Sequence, residues 1–240
     1  MQIISHAKLP LSYPWQQMQT EVQQLQQQWL PHFNQLHYEG SWTALALRSP
    51  GGETGHVVPD AVGAETYANT PLMQELPSIE AWVAALPCTV MSVRLLNLAA
   101  GAVIKTHRDR ELSFEQGEAR LHLPIFTHPK VLFTIDGQAM HMPAGECWYL
   151  NANLPHSVVN ESNIDRIHLV IDCVVNDWLQ ETMANATRCM AAVDAAAIQQ
   201  QQAVIAALRE QGSATSIKLA DDLAAALQVH LSASSSNAIS

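Results

Sequence analysis

Apolar and polar positions follow a helical period near the N-terminus. Apolar residues recur there every three or four positions: Trp15, Met18, Val22, Leu25 and Trp29. This spacing predicts an amphipathic helix with a glutamine-rich polar face. The segment SIEAWVAAL predicts a second helix, with Ser78 as its N-cap and Pro87 just past its end. The intervening segment SPGGETGHVVPD is typical of a loop.

From Cys88 to about Val175, short β-rich runs replace the helical period. They read TVMSVRLLNL, AVIKTH, ARLHLPIF, KVLFTI, AMHMP, CWYLN, HSVVNE and RIHLVIDCVV. Turn residues separate them, and Asp136-Gly137 between two apolar runs is a strong hairpin signal. About eight short strands at this spacing favour a sandwich or barrel over βαβ units, and eight suit a double-sheet jelly roll.

After Val175 the helical period returns in NDWLQETMANATRCM, AAAIQQQQAVIAALREQG and SIKLADDLAAALQVHL, with Gly212 as a stop. We therefore predict a mainly β fold with flanking helices, a double-stranded β-helix of jelly-roll, cupin-like type. The predicted domains are residues 1–175, the jelly roll with its N-terminal helices, and 176–231, a C-terminal helical extension. Residues 232–240 are expected to form a flexible tail.

Composition narrows the classes of partner. The chain has 22 acids against 12 bases, for a net charge of −10, and no basic block. Nucleic acid is therefore not an expected partner. No basic stretch precedes a long apolar run at the N-terminus, and no window reaches a membrane span of about 18 apolar residues. Four dispersed cysteines do not form a disulfide framework, so we expect reduced thiols and a cytoplasmic protein.

Three polar residues form a candidate metal site. In a strand, residues two apart share a face, so His107 and Asp109 can converge at a strand end. His156 opens another predicted strand, 49 residues after His107. The pattern HxD followed by a distant histidine is the sequence form of a 2-His-1-carboxylate facial triad, which binds Fe(II) and leaves coordination positions open.

Two strands add arginine and histidine on a shared face. Arg166 follows His156 by ten residues, and an arginine buried on the last strand of a jelly roll needs an anionic partner. A dicarboxylate cosubstrate would supply one through a bidentate pair. Alternation also places Arg120 with His122, and Arg166 with His168, which suggests a polar cavity inside the sandwich.

At these residues the chain resembles the aspartyl/asparaginyl β-hydroxylase family of Fe(II)/2-oxoglutarate-dependent dioxygenases. The resemblance covers about residues 88–175 and is carried by AAGAVIKTHRD, RLHLPI and PHSVVNESNIDRIHLVID, with EGSWTALALRSPGG similar to the family's N-terminal part. Animal members lack a carboxylate two residues after the first histidine. Asp109 is instead similar to the bacterial members and the free-proline hydroxylases.

The resemblance implies a role for each site residue. His107 and His156, with Asp109, would hold the iron, and Arg166 would bind the distal carboxylate of 2-oxoglutarate. His122 would help to hold this cosubstrate, and Arg120 would face the cosubstrate or an acidic substrate group. The implied function is the O2-dependent hydroxylation of an aliphatic carbon of an amino acid, free or within a peptide or protein.

Several alternatives stay open on the sequence alone. A cupin-type metal enzyme of other chemistry would have three or four histidines and a glutamate, and would need no buried arginine. A non-catalytic sensor that binds 2-oxoglutarate and metal would keep the same residues without turnover. The C-terminal helices, outside the resemblance, are candidates for a lid over the pocket or a homodimer contact.

Overall fold

A computed structural model describes residues 3–32, 35–57, 66–109, 112–191 and 195–235. Its strands are β1 Ile4–Leu9, β2 Leu30–Pro31, β3 Tyr38–Glu39, β4 Trp42–Pro50, β5 Tyr67–Asn69, β6 Val90–Leu98, β7 Val103–His107, β8 Glu118–Phe126, β9 Val131–Ile135, β10 Gln138–Met140, β11 Cys147–Leu150, β12 His156–Asn160, β13 Arg166–Val174 and β14 Thr187–Met190. Its α-helices are α1 Trp15–Gln24, α2 Pro77–Ala84, α3 Asp177–Ala184, α4 Ala195–Glu210 and α5 Ala214–Ser235. Short 3-10 helices cover Gln35–His37, Pro71–Glu75 and Phe114–Gln116.

Successive strands from β6 to β13 build two facing sheets. Within the described residues, one sheet has the order β14-β1-β11-β8-β13-β6-β4-β2, with β5 paired to β4. The other has the order β10-β9-β12-β7-β3. The strands β6, β8, β11 and β13 lie in the first sheet and β7, β9, β10 and β12 in the second. This is jelly-roll connectivity, and it confirms the predicted fold class.

All eight strands predicted between residues 88 and 175 are present, with ends shifted by a few residues at most. The hairpin predicted at Asp136-Gly137 joins β9 to β10, which pair antiparallel. Both turn residues have positive φ, 50° at Asp136 and 76° at Gly137. A two-residue hairpin turn with this twist matches the twist of its strands, and this explains the Asp-Gly sequence.

The predictions for the first two helices need correction. Helix α1 ends at Gln24, because Leu25 has extended backbone with ψ 123°, so Trp29 lies outside it. Helix α2 begins at Pro77, with Leu76 as its N-cap in place of the predicted Ser78. Proline at the first helical position has the φ that a helix needs and lacks the N–H that would be left unbonded there.

Other segments were assigned wrongly or missed. The run predicted as one helix at 176–190 forms α3 and then strand β14. Strands β1 and β4 were not predicted, although β4 extends the larger sheet by pairing with β6. Residues 232–235 of the predicted tail belong to α5, which continues to Ser235, and residues 236–240 lie outside the described part of the chain.

The core lies between the two sheets. Inward side chains of the larger sheet, such as Leu96 and Val170, meet Ile104, Phe133 and Val158 of the smaller one. The hydrophobic core does not extend to the end of the sandwich where β7 ends and β12 begins. Polar side chains occupy the interior there.

Contacts divide the chain into two compact units. Ile4–Cys189 forms the larger unit, and the smaller one contains α4 and α5, which pack on each other through Ile205, Ala220 and Leu227. The predicted stop at Gly212 is confirmed, with φ 69° just after α4. The predicted domain boundary after residue 175 stays a prediction, which limited proteolysis would test. None of the described helices has the length and apolarity needed to cross a membrane.

Candidate metal and cosubstrate site

Strand pairing brings the three predicted metal ligands together. His107 ends β7 and His156 begins β12, and the two residues are register partners in the antiparallel pair. Asp109 follows two residues after His107, and its backbone N–H donates to the carbonyl of Ala152 at 2.9 Å. One ligand atom from each of these three side chains lies within 4.8 Å of the others.

Backbone carbonyls orient both imidazoles. The Nδ1–H of His107 donates to the carbonyl of Lys105 at 2.8 Å, and the Nδ1–H of His156 donates to that of Leu154 at 2.9 Å. A carbonyl only accepts, so each ring carries its proton on Nδ1 and has a lone pair on Nε2. The His107 Nε2 atom lies 3.6 Å from Asp109 Oδ1. Two imidazoles and one carboxylate suit Fe(II), so the donor set fits this metal.

The electrostatics keep His156 neutral and Asp109 ionised, which are the forms that bind a metal. Burial lowers the pKa of His156 to about 4, so its imidazole is neutral at physiological pH. Burial also opposes ionisation of Asp109. The charge of the Arg120 guanidinium and its hydrogen bond to Asp109 outweigh this effect and hold the pKa of the carboxyl below the ordinary value.

Arg166 lies at the start of β13 and is 2% exposed. No described acid lies within ion-pair distance of it, and its Nε–H has no hydrogen-bond partner within the described part of the chain. Burial alone lowers its pKa to about 9. A buried cation without a partner is costly, so the side chain fits a bound carboxylate of 2-oxoglutarate.

Arg120 makes contacts that its expected role did not include. It forms an ion pair with Asp109, and its Nε–H donates to Asp172 Oδ1 at 2.7 Å. Asp172 also accepts from Arg94 at 2.9 Å and from the Ser92 hydroxyl at 2.8 Å. The buried group therefore contains two arginines and two aspartates.

A pair of buried histidines lies near Arg166. The Nδ1 atoms of His122 and His168 are 3.4 Å apart, and both side chains are almost fully buried. Burial, followed by the charge of Arg166, lowers the pKa of each imidazole well below its ordinary value. Both rings are therefore neutral at physiological pH.

One cavity of about 450 Å³ connects these groups. All six residues predicted from the sequence line it: His107, Asp109, Arg120, His122, His156 and Arg166. Trp42 and Phe133 contribute aromatic walls, and the Phe133 ring stacks on His156 with centroids 5.8 Å apart. The cavity thus joins a metal-ligand set to a buried cation.

Sequence reasoning missed four polar neighbours of this cavity. Asp172 and Arg94 lie within the apolar runs HLVIDCVV and VMSVRLLNL and were not singled out. A charged residue inside such a run is itself a signal of a buried polar contact. His32 and His37 are not part of any sequence motif and were not among the predicted site residues. The His32 ring stacks on Trp42 with centroids 3.4 Å apart, and the His37 ring lies 5.2 Å from that of His107.

Two curated proline hydroxylases are similar in sequence to this chain. The chain is 33% identical over 135 residues to L-proline cis-4-hydroxylase from Rhizobium meliloti (strain 1021), which covers 55% of this chain and 48% of the relative. It is 35% identical over 85 residues to L-proline cis-3-hydroxylase 1 from a Streptomyces species, covering 35% of this chain and 29% of the relative. The chain thus spans less than half the length of these curated relatives.

A solved structure of an oxidoreductase of the 2OG-Fe(II) oxygenase family from Burkholderia pseudomallei is also similar. It has 11% identity and a TM-score of 0.46, over 71% of this chain and 85% of that one. The aspartyl/asparaginyl β-hydroxylase family profile matches residues 13–176, more than half of the chain. With the resemblance predicted from the motifs confirmed, the chain belongs to the aspartyl/asparaginyl β-hydroxylase family.

Proposed function

We propose that the protein is an Fe(II)- and 2-oxoglutarate-dependent dioxygenase that hydroxylates an aliphatic carbon of an amino acid. One observation carries this proposal. Two imidazole nitrogens and a carboxylate converge in the same cavity that is lined by an arginine with no acidic partner among the described residues. A metal site alone would not need the buried cation Arg166, which also disfavours a cupin-type enzyme of other chemistry.

The protein's own groups would hold the iron, orient the groups around it and exclude water. His107, Asp109 and His156 would hold iron on one face and leave the other face to ligands. The carbonyls of Lys105 and Leu154 fix the two rings in advance, so little ordering remains when the metal binds. When bound, iron and 2-oxoglutarate would activate O2, which is the oxidant: one oxygen atom goes to the product and one to succinate, with release of CO2.

Arg166 would pair with the distal carboxylate of 2-oxoglutarate, and His122 would donate to this cosubstrate from the adjacent strand. Arg120 lines the same cavity, but its guanidinium is already paired with Asp109 and Asp172, so an acidic group of the cosubstrate or the substrate would have to compete for it. The apolar walls, including Phe133 and Val158, limit water around the reacting carbon. Positioning and exclusion of water are the protein's main contributions.

Free L-proline is the first substrate to test. The relatives that match are named as proline hydroxylases that act at C4 and C3. Other free amino acids and short peptides form the comparison panel.

Turnover is tested by incubating the protein with Fe(II), ascorbate, 2-oxoglutarate and O2, with succinate and hydroxylated products measured by mass spectrometry. We expect succinate formation that rises with the correct substrate. His107→Ala should abolish it, and His128→Ala, in the β8–β9 loop, should not. Binding of 2-oxoglutarate without succinate across the panel would favour the non-catalytic sensor.

We also propose two properties of the whole protein. Exposed apolar side chains on α4 and α5, among them Val204, Ile217 and Leu219, support a homodimer through the C-terminal helices. Sedimentation equilibrium would show a dimer or a monomer. The four cysteines are free thiols, which supports a reducing, cytoplasmic setting that fractionation of the native cells would test.

A further inference from the structure

Asp172 is the most heavily bonded side chain near the candidate iron site, and nothing in the predicted site included it. It is 1% exposed and lies in the middle of β13. Its two oxygens accept from Arg120 Nε at 2.7 Å and Nη2 at 3.1 Å, from Arg94 at 2.9 Å and from Ser92 at 2.8 Å. Four donors hold this carboxylate in one orientation.

Strand register explains why Asp172 meets Arg120. The two residues are partners in the antiparallel pair of β13 with β8. Arg94 extends from β6 on the other side of β13, where it is the partner of Val170. Three neighbouring strands therefore contribute the charged groups, and the sheet itself fixes their spacing.

The contacts of Arg120 are directional. Its Nε and Nη2 donate side by side to Asp172, which fixes the plane of the guanidinium. The remaining arm, Nη1, then points at Asp109 Oδ2. The other oxygen, Asp109 Oδ1, lies on the side of His107 Nε2 at 3.6 Å. With one oxygen of Asp109 bonded to Arg120, the other oxygen is the one turned toward His107.

We propose that Asp172 is a positioning residue for the carboxylate ligand: it fixes Arg120, which in turn holds Asp109 with one oxygen turned toward His107 and His156. This inference rests on the proposed function, in which Asp109 is an iron ligand. Asp172 does not itself line the cavity or contact a candidate metal ligand, so it acts through Arg120, which does both.

A purely structural role would be charge balance for the buried arginines. The two roles differ in what Asp172→Asn does. Loss of charge balance would lower the stability of the folded protein. Any effect on metal binding would then be the same whether Asp109 is present or not. Loss of positioning would free the guanidinium of Arg120 to turn and draw Asp109 away from the metal, which weakens metal binding only while Asp109 is present.

The test is a double-mutant cycle on metal affinity. Dissociation constants for Ni(II) are measured by isothermal titration on the full-length protein without cosubstrate. Ni(II) binds imidazole sites more tightly than Fe(II), so variants with two histidine ligands stay measurable. We expect Asp172→Asn to weaken binding by about 10- to 100-fold in the wild-type background and by less than about threefold in an Asp109→Ala background.

The matched control is Asp221→Asn, which makes the same substitution in an exposed ion pair with Arg209 on the C-terminal helices. It should leave the Ni(II) affinity unchanged. A second readout is the Co(II) absorption spectrum. In Asp172→Asn it should shift toward the spectrum of Asp109→Ala, which a change in global stability alone would not cause.

Arg120→Lys covers the case in which Asp172→Asn does not fold. Lysine keeps the charge but cannot bridge two carboxylates with a rigid fork, so the same dependence on Asp109 is expected. Equal losses in both backgrounds, or none in either, would overturn the positioning role. If the wild-type protein itself binds neither Ni(II) nor Co(II), the proposed function fails instead, and the two failures are distinct.

Discussion

At the scale of single residues, the cavity is organised around one carboxylate and one cation. Asp109 forms the candidate metal site with two histidines whose rings are already fixed by backbone carbonyls. Arg166 stays without an acidic partner among the described residues while Arg120 has two. The contrast between these arginines shows which of them is available for an added carboxylate.

Asp109→Ala should weaken metal binding strongly, because it removes one of three ligands and the only anionic one. Titration with Co(II) should show the loss, while Asp221→Ala, on the surface of α5, should match the wild-type protein. Unchanged affinity and turnover in Asp109→Ala would instead mean that the protein works with two histidines, as animal members of the family do.

Arg166→Met should have opposite effects on stability and on cosubstrate binding. Removing a buried cation without an acidic partner relieves its desolvation, so the free energy of unfolding of the ligand-free protein should rise by about 1–4 kcal/mol. Stabilisation by added 2-oxoglutarate should disappear. Thermal melts with and without 2-oxoglutarate would measure both, and a variant that is less stable without ligand would contradict the unpaired state of Arg166.

The six site residues could be predicted because each follows a short motif at a strand end or on one strand face. Asp172 and Arg94 could not, since their significance depends on which strands become neighbours. Asp172 on β13 is the partner of Arg120 on β8, and Arg94 in turn forms an ion pair with Asp172. These residues are distant in sequence and meet only through strand register. A one-residue change in that register would reverse the faces and separate them.

At the scale of elements, the pairing of β7 with β12 creates the site. The jelly-roll crossover makes His107 and His156 direct neighbours. The eight core strands were predictable because turn residues separate short β-rich runs. Strands β1 and β4 were missed because both lie outside the β-rich region that begins at Cys88, although Pro50-Gly51-Gly52 marks the end of β4. Helix α1 was predicted too long because the apolar period continues to Trp29 beyond the point where the backbone becomes extended.

Substitution of two glycines would test how closely the turns before β4 and β7 are packed. Gly40 and Gly101 both have positive φ, 82° and 75°, so alanine is strained at either position. A Cβ at Gly40 would lie 2.9 Å from Ala102 Cβ, while one at Gly101 would have no atom within 4 Å. Gly40→Ala should therefore lower the free energy of unfolding by about 1–3 kcal/mol more than Gly101→Ala.

Urea denaturation of both variants would give this difference. Equal losses would show that backbone strain alone sets the cost, and that the turn before β4 has room to move away from Ala102.

At the scale of the whole molecule, buried neutral histidines give the larger unit a specific sensitivity to acid. Burial, followed by the charge of Arg94, lowers the pKa of His32 to about 3. The pKa values of His122 and His168 are also lowered well below the ordinary value. Below pH about 6.5 the unfolded chain binds protons that the folded chain does not, so folding becomes less favourable.

The ligand-free protein should thus be most stable above pH about 6.5 and lose stability as the pH falls toward 4. Each such histidine adds up to about 1.4 kcal/mol per pH unit to the slope. His32→Gln should make the slope shallower by up to that amount, and His128→Gln should not. Urea midpoints at several pH values would measure it, and parallel slopes for wild type and His32→Gln would contradict the prediction.

The cation at the start of β13, which has no acidic partner among the described residues, has a consequence for the lifetime of the protein in a cell. A dicarboxylate that binds Arg166 only in the folded state stabilises that state by an amount that grows with the logarithm of its concentration. Proteases act on the unfolded fraction, which shrinks accordingly. When 2-oxoglutarate is scarce, the protein should therefore be degraded faster, so its abundance would follow the metabolic supply of its own cosubstrate.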